Sequence, residues 1–496
     1  MTPNILLITT DQQRFDAVGC NNPGFLKTPH LDRLAAEGIN FTRAYCPASV
    51  CTPSRVSIMS GQHLSRHGSY NIGVQPGIPA QQRFVSRILA DSGYWTAHVG
   101  KGHWFPWGTK NSPEEIQQAE DNFSEPWKGF AGFDRAELSL GHATWGMFGH
   151  YRAWLRRHGI EPDSLSAKEL FADDPNDTCE WSLPSHFHSG AWTVERGLAA
   201  LDARPQNKPF FMHLGFQDPH HPHALPEDFL DRVDPNAVPP PVPEGHPINE
   251  APHIELFRND GLQESRFRGR FDMAGQYRTP WRKYFADDEK SRITRAHYYS
   301  MIQLMDRQIG DLLAGLEQRE LLDETLIVFT SDHGEMLGDH GIGQKGPLAF
   351  ESVLRVPLLA RGPGVTPGTV CDECVSLVDL HPTFLAMAGA PSIPETDGCN
   401  LGPMLSGDLL KRPGVRVEYK EEPDRIRYKA WIETDWKLVL YGGESFGELY
   451  HLAEDPSEYI NRYDDPAFRE IQLTLTSRLL EDLAKSELTN PRESRV

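Results

Sequence analysis

The sequence predicts an α/β fold: a large, mixed but mostly parallel sheet sandwiched by helices, with a smaller C-terminal α+β subdomain. Four short runs are continuously apolar, which is typical of strands buried on both faces of a parallel sheet. Amphipathic helical patterns lie between these runs, as an α/β fold requires. The chain has 496 residues, more than one hydrophobic core usually accommodates, so a second, smaller unit is expected.

Each of the four apolar runs ends in polar side chains. The runs span residues 4–10, 94–100, 209–216 and 325–330. The polar groups that follow them are Asp11 and Gln12, Lys101 and His103, the segment QDPHHPH, and Ser331, Asp332 and His333. Ligands of open α/β sheets bind at the carboxyl ends of the strands. These side chains are therefore predicted to meet in one site.

Two further patterns indicate helices. Residues 28–38 have Thr28 as a cap, Pro29 in the first turn and a glycine as a stop. Residues 292–320 carry apolar side chains at roughly helical spacing. Both helices would pack an apolar face against the sheet.

The stretch VCTPSRVSIMSG, residues 50–61, indicates a helix that begins beside an anion site. Thr52 can serve as N-cap, and Pro53 suits the first helical position. Cys51 would then lie just outside the N-terminus, where backbone N–H groups and the helix dipole favour an anion. Arg55 follows about one turn later and could face the same space. The alternative is a small cysteine buried for packing alone.

We place a larger, catalytic domain over residues 1–390 and a smaller subdomain over residues 391–496. A helical pattern over 376–389 closes the larger unit. Two β-rich runs, RYKAWIE and WKLVLYG, and a helix near 466–485 are expected in the smaller one.

Two stretches of the larger unit are expected to be lid-like insertions. Residues 104–190 are rich in Trp, His and Gly and show little strand pattern. Residues 231–290 include VPPPVPEGHP, which cannot form a regular element. Long irregular connections in an enzyme-sized domain often shape the substrate pocket.

The charge balance excludes some classes of partner. The formal net charge is −20, from 69 acidic and 49 basic residues. This argues against nucleic acid or an anionic membrane as a partner. An anionic substrate would therefore need positive charge concentrated locally, from a metal ion and a few Lys, Arg and His side chains.

The cysteines and the N-terminus bear on the compartment. Seven sparse cysteines do not form a disulfide framework, and Cys371 and Cys374 are interpreted as two ordinary thiols. No apolar run approaches membrane-spanning length. The first residues show neither a basic region nor a small-residue cleavage site, so a cytoplasmic protein is expected.

The strand-end residues indicate a divalent cation. Asp11 and Asp332, with the Gln12 amide close by, suit a hard cation. His333 suits manganese or zinc better than calcium, so the residues by themselves leave the metal open. Taken one by one, Asp and Ser at these points would be ordinary turn or cap residues.

Several motifs occur together and in order along the chain. They are CTPSR at 51–55, GKGHW at 100–104, PHHP at 219–222, and SDHGEMLGDHG followed by QKG within 331–346. This set resembles the type I sulfatases of the alkaline-phosphatase-like superfamily, over residues 4 to about 390. The segment ELYHLAEDPSE, residues 448–458, is similar to the family's C-terminal stretch.

The resemblance implies a sulfuric ester hydrolase that cleaves a sulfate monoester of a carbohydrate or a small polar alcohol. In this family a maturation enzyme oxidises the motif cysteine, here Cys51, to Cα-formylglycine. One hydroxyl of the hydrated aldehyde attacks the sulfate sulfur. Loss of a proton from the second hydroxyl then expels sulfate and restores the aldehyde. A homo-oligomer is left open.

The resemblance also assigns roles to residues. Arg55 would support the hydrated aldehyde and the charge beside the metal. Lys101 would bind sulfate oxygens, and His103 would assist the hydrate. His220 would contact the sulfate near the leaving oxygen; Lys345 would do the same and could protonate the leaving group. The implied ligands of one divalent ion, Ca²⁺ with Mn²⁺ as the alternative, are Asp11, Gln12, Cys51, Asp332 and His333.

Two departures from the common family pattern keep a rival activity open. Residues 11–12 are Asp-Gln rather than Asp-Asp, and residues 332–333 are Asp-His rather than Asp-Asn. Both variants resemble choline-sulfatase-like and phosphonate-monoester-hydrolase-like branches. Phosphonate hydrolases carry hydroxyl residues in place of the Lys-x-His motif, so Lys101 and His103 favour a sulfatase.

Two alternatives follow from these observations. One is a phosphonate monoester or phosphodiester hydrolase on the same metal site. The other is a non-catalytic binding protein that retains the fold. The remaining histidines of interest are not expected to be catalytic: His221 and His223 would line the pocket or the surface. His63 and His67 could approach the site from the helix after Cys51, but a functional role is not expected for either.

Overall fold

The structure is a computed structural model of the chain. It describes residues 2–74, 76–106, 112–115, 120–141, 147–162, 178–243, 288–394, 396–408, 411–420 and 426–486. All statements below concern these residues.

A single eight-stranded sheet organises the larger part of the molecule. Its strands, in chain order, are β1 (Asn4–Thr10), β2 (Ile39–Phe41), β3 (Trp95–Gly100), β4 (Arg135–Leu140), β5 (Phe210–Gly215), β6 (Thr325–Ser331), β7 (Leu358–Arg361) and β8 (Thr369–Cys371). Their order across the sheet is β8-β2-β7-β6-β1-β5-β3-β4. Only the pairings of β7 with β6 and β2 are antiparallel among the described pairs. The predicted mixed, mostly parallel sheet is thus confirmed.

Both faces of this sheet are buried. Along β1, Ile5 and Leu7 enter one apolar cluster, whereas Leu6 and Ile8 enter the other. Burying each such side chain fully stabilises the fold by about 1.5–3 kcal/mol. The continuous apolar runs in the sequence therefore reflect a sheet covered on both sides.

Helices cover the two faces of this sheet, except that the last described helix packs on the C-terminal sheet. The helices are α1 (Pro29–Ala36), α2 (Cys51–Ser60), α3 (Leu64–His67), α4 (Ile78–Gln82), α5 (Val85–Asp91), α6 (Gly149–Arg157), α7 (Ser189–Asp202), α8 (Asp288–Glu317), α9 (Glu351–Leu354), α10 (Leu380–Met387), α11 (Gly402–Leu405) and α12 (Arg469–Lys485). Val56 of α2 packs in the first cluster, and Ile302 and Leu312 of α8 pack in the second. The sandwich predicted from the sequence is therefore present.

Helix α2 begins two residues earlier than the sequence indicates. Cys51 is its first residue and Val50 is the N-cap, whereas Thr52 and Pro53 lie inside the first turn. The Thr52 hydroxyl is buried with no hydrogen-bond partner, so it does not cap the helix. The helix ends as expected at Gly61, whose φ of 68° is left-handed.

A separate antiparallel sheet forms the core of the C-terminal part. Its strands are β9 (Val415–Lys420), β10 (Arg427–Ile432), β11 (Trp436–Tyr441) and β12 (Gly447–His451), in that order across the sheet. Trp431, Leu438 and Leu449 pack against Leu475 and Leu479 of α12. This is the smaller α+β unit that the sequence predicts, although the boundary at residue 390 stays a prediction.

The predicted lid-like stretches contain more regular structure than their composition suggests. Strand β4, helix α6 and the start of α7 all lie within 104–190, and β4 is an edge strand of the main sheet. Residues 107–111, 116–119, 142–146, 163–177 and 244–287 lie outside the described residues. A lid role for the two stretches stays a prediction.

The seven cysteines are all free thiols. Cys371 ends β8, and both it and Cys374 are buried in the first apolar cluster, which fits two ordinary thiols. Across the described ranges, no helix combines the length and apolar character needed to cross a membrane.

Candidate active site

The carboxyl ends of β1 and β6 bring distant residues together. The two strands are parallel neighbours, with Thr10 opposite Ser331, so Asp11 and Asp332 leave the sheet side by side. The first turn of α2 adds Cys51. Donor atoms of four buried residues lie within 4.8 Å of one another. We call this set the strand-end cluster: Asp11, Cys51, Asp332 and His333.

The strand-end cluster has the donors and dimensions of a cation site. Cys51 Sγ lies 3.2 Å from His333 Nε2 and 3.7 Å from Asp11 Oδ1, and His333 Nε2 lies 3.8 Å from Asp332 Oδ2. Oxygen ligands bind calcium at about 2.3–2.6 Å, so donors up to about 5 Å apart can share one ion. Two buried carboxylates this close also need positive charge to offset their desolvation. The residues therefore fit a divalent cation.

The orientation of His333 supports this fit. Its Nδ1 lies 2.9 Å from the carbonyl oxygen of Gly334 and so carries the proton. This leaves the Nε2 lone pair facing the cluster, which is the arrangement in metal-binding histidines. Burial lowers the pKa of His333, so the imidazole stays neutral.

Gln12 lies beside the strand-end cluster in a left-handed backbone conformation, with φ at 71°. Such a conformation is uncommon for a residue other than glycine. This conformation lets the backbone N–H of Gln12 donate to Asp332 Oδ1 at 3.0 Å. In the side chain, Oε1 accepts from Lys345 Nζ and Nε2 donates to Glu335. The structure therefore places Gln12 next to the cluster, and its role as a ligand stays a prediction.

Arg55 bridges the two carboxylates of the cluster. Its Nε donates to Asp332 Oδ2 at 2.8 Å, and its Nη2 lies 3.5 Å from Asp11 Oδ2. Its Nη1 also donates to the carbonyl oxygen of Lys101 at 3.3 Å. The guanidinium is buried and fixes both carboxylates, as expected from its place one turn after Cys51.

Lys101 reaches the cluster because β3 and β5 approach closely at their ends. Gly100 has a φ of 103°, and a Cβ there would lie 2.0 Å from the carbonyl oxygen of Gly215. Only glycine fits at this position. The Lys101 ammonium pairs with the Asp11 carboxylate. Burial lowers the pKa of Lys101, and Asp11 opposes this shift.

His103 and Lys345 hold opposite protonation states. Burial, then the charges of Lys101 and Arg55, lower the pKa of His103 well below its ordinary value, so the ring is neutral. Burial would also lower the pKa of Lys345, but Cys51, Asp11 and Asp332 outweigh it and raise the value. Lys345 therefore keeps its proton. With no cation bound, burial and then Asp11 raise the pKa of the Cys51 thiol to about 11, so the thiol keeps its proton too.

The histidines that follow β5 lie at one turn. The rings of His220 and His221 stack with centroids 4.1 Å apart. Burial and then Lys345 lower the pKa of His221 well below its ordinary value, and its Nε2 lies 3.3 Å from Gln344 Nε2. From the sequence, His221 is expected to line the pocket or the surface. In the structure it is close enough to Lys345 for the lysine charge to lower its pKa. The role assigned to His220 stays a prediction.

Three other histidines are buried. His67 Nε2 lies 2.9 Å from the Ser57 hydroxyl, and its Nδ1 accepts the Ser69 amide at 3.0 Å. His63 and His223 are buried as well. His67 thus links α2 to the segment that follows it, in agreement with a structural role.

Sequence reasoning missed Glu335. Its carboxylate accepts hydrogen bonds from Gln12 Nε2 and from the amides of Leu337 and Gln344. Burial raises its pKa. Glu335 therefore fixes the side-chain amide of Gln12 and the turn that leads to Lys345. The available signal was its position two residues after His333, inside the motif SDHGE.

Comparisons with known proteins agree with this geometry. A family model described as Sulfatase matches residues 3–390, and one described as N-sulphoglucosamine sulphohydrolase, C-terminal, matches residues 338–485. An arylsulfatase of Clostridium perfringens is 27% identical over 98% of this chain and 95% of its own length. A choline-sulfatase of Rhizobium meliloti is 27% identical over 96% of this chain and 85% of its own length.

The fold also has a close match among solved structures. The phosphonate monoester hydrolase of Agrobacterium radiobacter superposes with a TM-score of 0.78, at 24% identity, over 98% of this chain and 96% of that one. The range that the Sulfatase family model matches spans all four residues of the strand-end cluster. The chain therefore belongs to the sulfatase family of sulfuric ester hydrolases, within the alkaline-phosphatase-like superfamily.

Proposed function

We propose that this sulfatase hydrolyses sulfate monoesters of a carbohydrate or a small polar alcohol. Residue 51 would act in its formylglycine form, produced by a maturation enzyme that reads the CTPSR motif. One observation supports this proposal above the others: Cys51 lies within 4.8 Å of Asp11, Asp332 and His333 in a buried cluster. A cysteine kept only for packing has no reason to face two carboxylates.

Asp11, Asp332, His333 and residue 51 would hold the cation. Gln12 would join them if its amide oxygen turned from Lys345 toward the cluster. Ca²⁺ is the preferred ion because carboxylate and amide oxygens supply most of the donors, and Mn²⁺ is the alternative because of His333. When bound, the cation would polarise the sulfate and offset the charge of the two carboxylates.

The hydrated aldehyde at residue 51 would supply the hydroxyl that attacks sulfur. Its second hydroxyl offers an exit for sulfate that neither a thiol nor a serine hydroxyl has. Arg55, which spans Asp11 and Asp332, would hold the two carboxylates in place during this step. His103 is neutral and could accept a proton from the hydrate.

Two lysines would act on opposite sides of the scissile S–O bond. Lys101 would bind a sulfate oxygen after exchanging its contact with Asp11. Lys345 keeps its proton and could deliver it to the leaving oxygen, with His220 alongside. Fixed positive groups in a buried site stabilise charge that develops in the transition state.

A phosphonate monoester or phosphodiester hydrolase is the second candidate. The Asp-Gln and Asp-His pairs at 11–12 and 332–333 keep it open, because they resemble that branch as well as choline-sulfatase-like proteins. Lys101 and His103 favour the sulfatase, since that branch carries hydroxyl residues in place of the Lys-x-His motif.

The test begins with the chemistry of residue 51 and ends with two substrates. Mass spectrometry of the peptide that contains residue 51 should show a loss of roughly 18 Da relative to cysteine. Metal-loaded, converted protein is then assayed with 4-nitrophenyl sulfate and with a phenylphosphonate monoester. A higher kcat/KM for the sulfate supports the proposal, and a clear preference for the phosphonate contradicts it. Turnover of neither by fully converted protein would indicate a binding protein.

A further inference from the structure

The C-terminal sheet contacts the segment that carries Lys345. Two of its side chains, and one from the segment after its last strand, reach the backbone of residues 345–351, which cross from the strand-end cluster to α9. We name these three the C-terminal clamp: Tyr428 of β10, Lys437 of β11 and Glu458 after β12. All three are buried.

Tyr428 forms the first contact of the clamp. Its hydroxyl lies 3.3 Å from the carbonyl oxygen of Leu348 and 2.9 Å from the Ser49 hydroxyl. Ser49 in turn donates to the carbonyl oxygen of Gly346 at 2.6 Å. Tyr428 thus ties Leu348 to Ser49, and Ser49, two residues before Cys51, holds the residue after Lys345.

Lys437 and Glu458 form the second contact. The Lys437 ammonium donates to the carbonyl oxygen of Ala349 at 2.5 Å and pairs with the Glu458 carboxylate. Glu458 Oε2 accepts the amide of Glu351, the first residue of α9, at 2.7 Å. The Glu351 carboxylate lies 3.4 Å from Lys437 Nζ. The pair therefore fixes the entry into α9.

Helix α9 passes this constraint on to the loop that carries His333. The Gly334 amide donates to the carbonyl oxygen of Val353 at 2.7 Å, and the Glu335 amide donates to that of Ser352 at 3.0 Å. A Cβ at Gly334 would lie 2.1 Å from the carbonyl oxygen of Ser352, so the two segments are in close contact. One continuous set of hydrogen bonds thus links the clamp, α9 and the loop that carries His333.

Burying Lys437 in this way is not an efficient route to stability. The side chain has no solvent exposure, and desolvating an ion pair offsets most of its attraction. A methionine packed in the same space would serve stability equally well. A buried ammonium that holds one carbonyl oxygen and two carboxylates instead specifies where the backbone lies.

We propose that the C-terminal clamp is a positioning device for the reaction. It holds Lys345 and the loop after Asp332 in their working positions through residues 345–354. The proposal rests on the proposed function, because Lys345 receives its role as proton donor there. Under this proposal the C-terminal subdomain is a functional part of the catalytic centre.

The test uses the dependence of turnover on the leaving group. 4-Nitrophenolate is a good leaving group and departs without a proton. Phenolate is a poorer leaving group and depends more on protonation. Only the hydrolysis of phenyl sulfate should therefore depend strongly on Lys345. We expect Lys437→Met to lower kcat for phenyl sulfate about tenfold more than for 4-nitrophenyl sulfate. Tyr428→Phe, which keeps the ring, should shift the ratio in the same direction by a smaller factor.

Glu433→Gln is the matched control. Glu433 lies in the same subdomain and binds Trp431 Nε1 at 2.7 Å and Arg478, on the side that packs against α12. A general loss of folded protein would lower the turnover of both sulfate esters equally, in this variant and in the others. We expect Glu433→Gln to leave the ratio of the two substrates unchanged.

Lys345→Met and the double variant Lys345→Met/Lys437→Met complete a cycle. If the clamp acts through Lys345, the double variant should be little slower than Lys345→Met alone. Fully additive losses would overturn the proposal. If Lys345→Met shows no preference between the two sulfates, the proposed role of Lys345 fails, and the clamp is then judged by exchange alone.

Amide hydrogen exchange supplies that independent measurement. In Lys437→Met we expect the amides of Gly334 and Glu335 to exchange about tenfold faster, while those of β1 stay protected. Unchanged exchange at these two amides would overturn the proposal. Glu458→Gln, which keeps the side-chain shape, provides a second variant if Lys437→Met does not fold.

Discussion

The strand-end cluster and the C-terminal clamp both bury charged side chains, but they use them differently. In the clamp, Lys437 Nζ is within 2.5 Å of a carbonyl oxygen and pairs with two carboxylates. In the cluster, the donors of four side chains face one another at 3.2–4.0 Å, and two of them carry like charge. Side chains that converge on one point from separate segments mark a place where an ion can bind, whereas an ammonium that holds a backbone carbonyl oxygen marks a scaffold.

The largest expected effect falls on the cluster itself. Cys51→Ala should lower kcat/KM by about 10⁴-fold or more, because it removes the proposed nucleophile. Thermal unfolding should remain cooperative, since the substitution deletes one small buried group. Steady-state kinetics and calorimetry measure the two effects.

Cys46→Ala is the matched control for this prediction. Cys46 is buried five residues upstream, and its Sγ lies 3.7 Å from the carbonyl oxygen of Val353 rather than from charged side chains. We expect its kcat/KM to stay within about threefold of the wild type. Equal losses in both variants would mean that the two thiols do not differ in role.

Asp332→Asn should have the next largest effect, through the cation. The variant loses one charge at the ion and the partner of Arg55, so turnover should fall about 100-fold or more. Saturating Ca²⁺, at about 100 times its Kd, should stabilise the wild type by about 2.7 kcal/mol and the variant much less. Denaturation with and without chelator, beside the exposed control Asp311→Asn, provides the measurement. An equal metal-dependent shift in wild type and variant would remove Asp332 from the proposed ligands.

Glu335→Gln should have a smaller effect, because Glu335 acts on the cluster through Gln12. An amide in its place would present N–H groups to the donors of Gln12, Leu337 and Gln344. We expect a loss of about 10- to 100-fold in kcat and weaker metal binding. Kinetics at several metal concentrations measure both, with Glu324→Gln at the other end of β6 as the control. Unchanged metal affinity would show that Glu335 does not position the ligands.

The smallest effect on turnover is expected at His150, a buried group whose hydrogen bonds are complete. Its Nδ1 accepts the Leu138 amide and its Nε2 donates to the carbonyl oxygen of Glu125, both at 2.9 Å. Burial lowers its pKa to about 4. A histidine with a depressed folded-state pKa adds stability above about pH 6.5 and loses it as the pH falls toward 4.

His150→Gln should therefore change acid stability and leave turnover at pH 7 unaltered. Between pH 7 and pH 4 its free energy of unfolding should fall by up to about 3 kcal/mol less than that of the wild type. Urea denaturation at several pH values, beside His186→Gln at the surface, measures the difference. Parallel pH profiles for wild type and variant would contradict the expectation.

The sequence predicts the central strands and the cluster well for a physical reason. Strands buried on both faces must be continuously apolar, and chemistry at their carboxyl ends must use polar side chains immediately after them. Asp11, Lys101 and Asp332 all follow such runs, and the parallel register of β1 with β6 brings the first and last together. Motif order in the chain is thus converted into proximity at one edge of the sheet.

Other features depend on contacts that residue types alone do not reveal. Strand β4 has the sequence RAELSL, which lacks the continuous apolar pattern of the central strands. Its Glu137 can be buried at the sheet edge because Arg135 and Arg196 pair with the carboxylate, and the sequence alone does not show these ion pairs. Helix α2 starts at Cys51 because Val50 is extended and caps it, which Thr-Pro spacing does not indicate. Glu335 resembles any loop glutamate until its three hydrogen bonds are seen.

The burial of α2 has a consequence for the order of events during synthesis. All ten of its residues are inaccessible in the folded molecule, and His333 follows Cys51 by 282 residues. At about 5–20 residues per second, a ribosome needs roughly 15 to 60 s to add them. The proposed maturation enzyme would therefore have a limited time, between the emergence of CTPSR from the ribosome and the arrival of His333, which contacts Cys51 in the folded molecule.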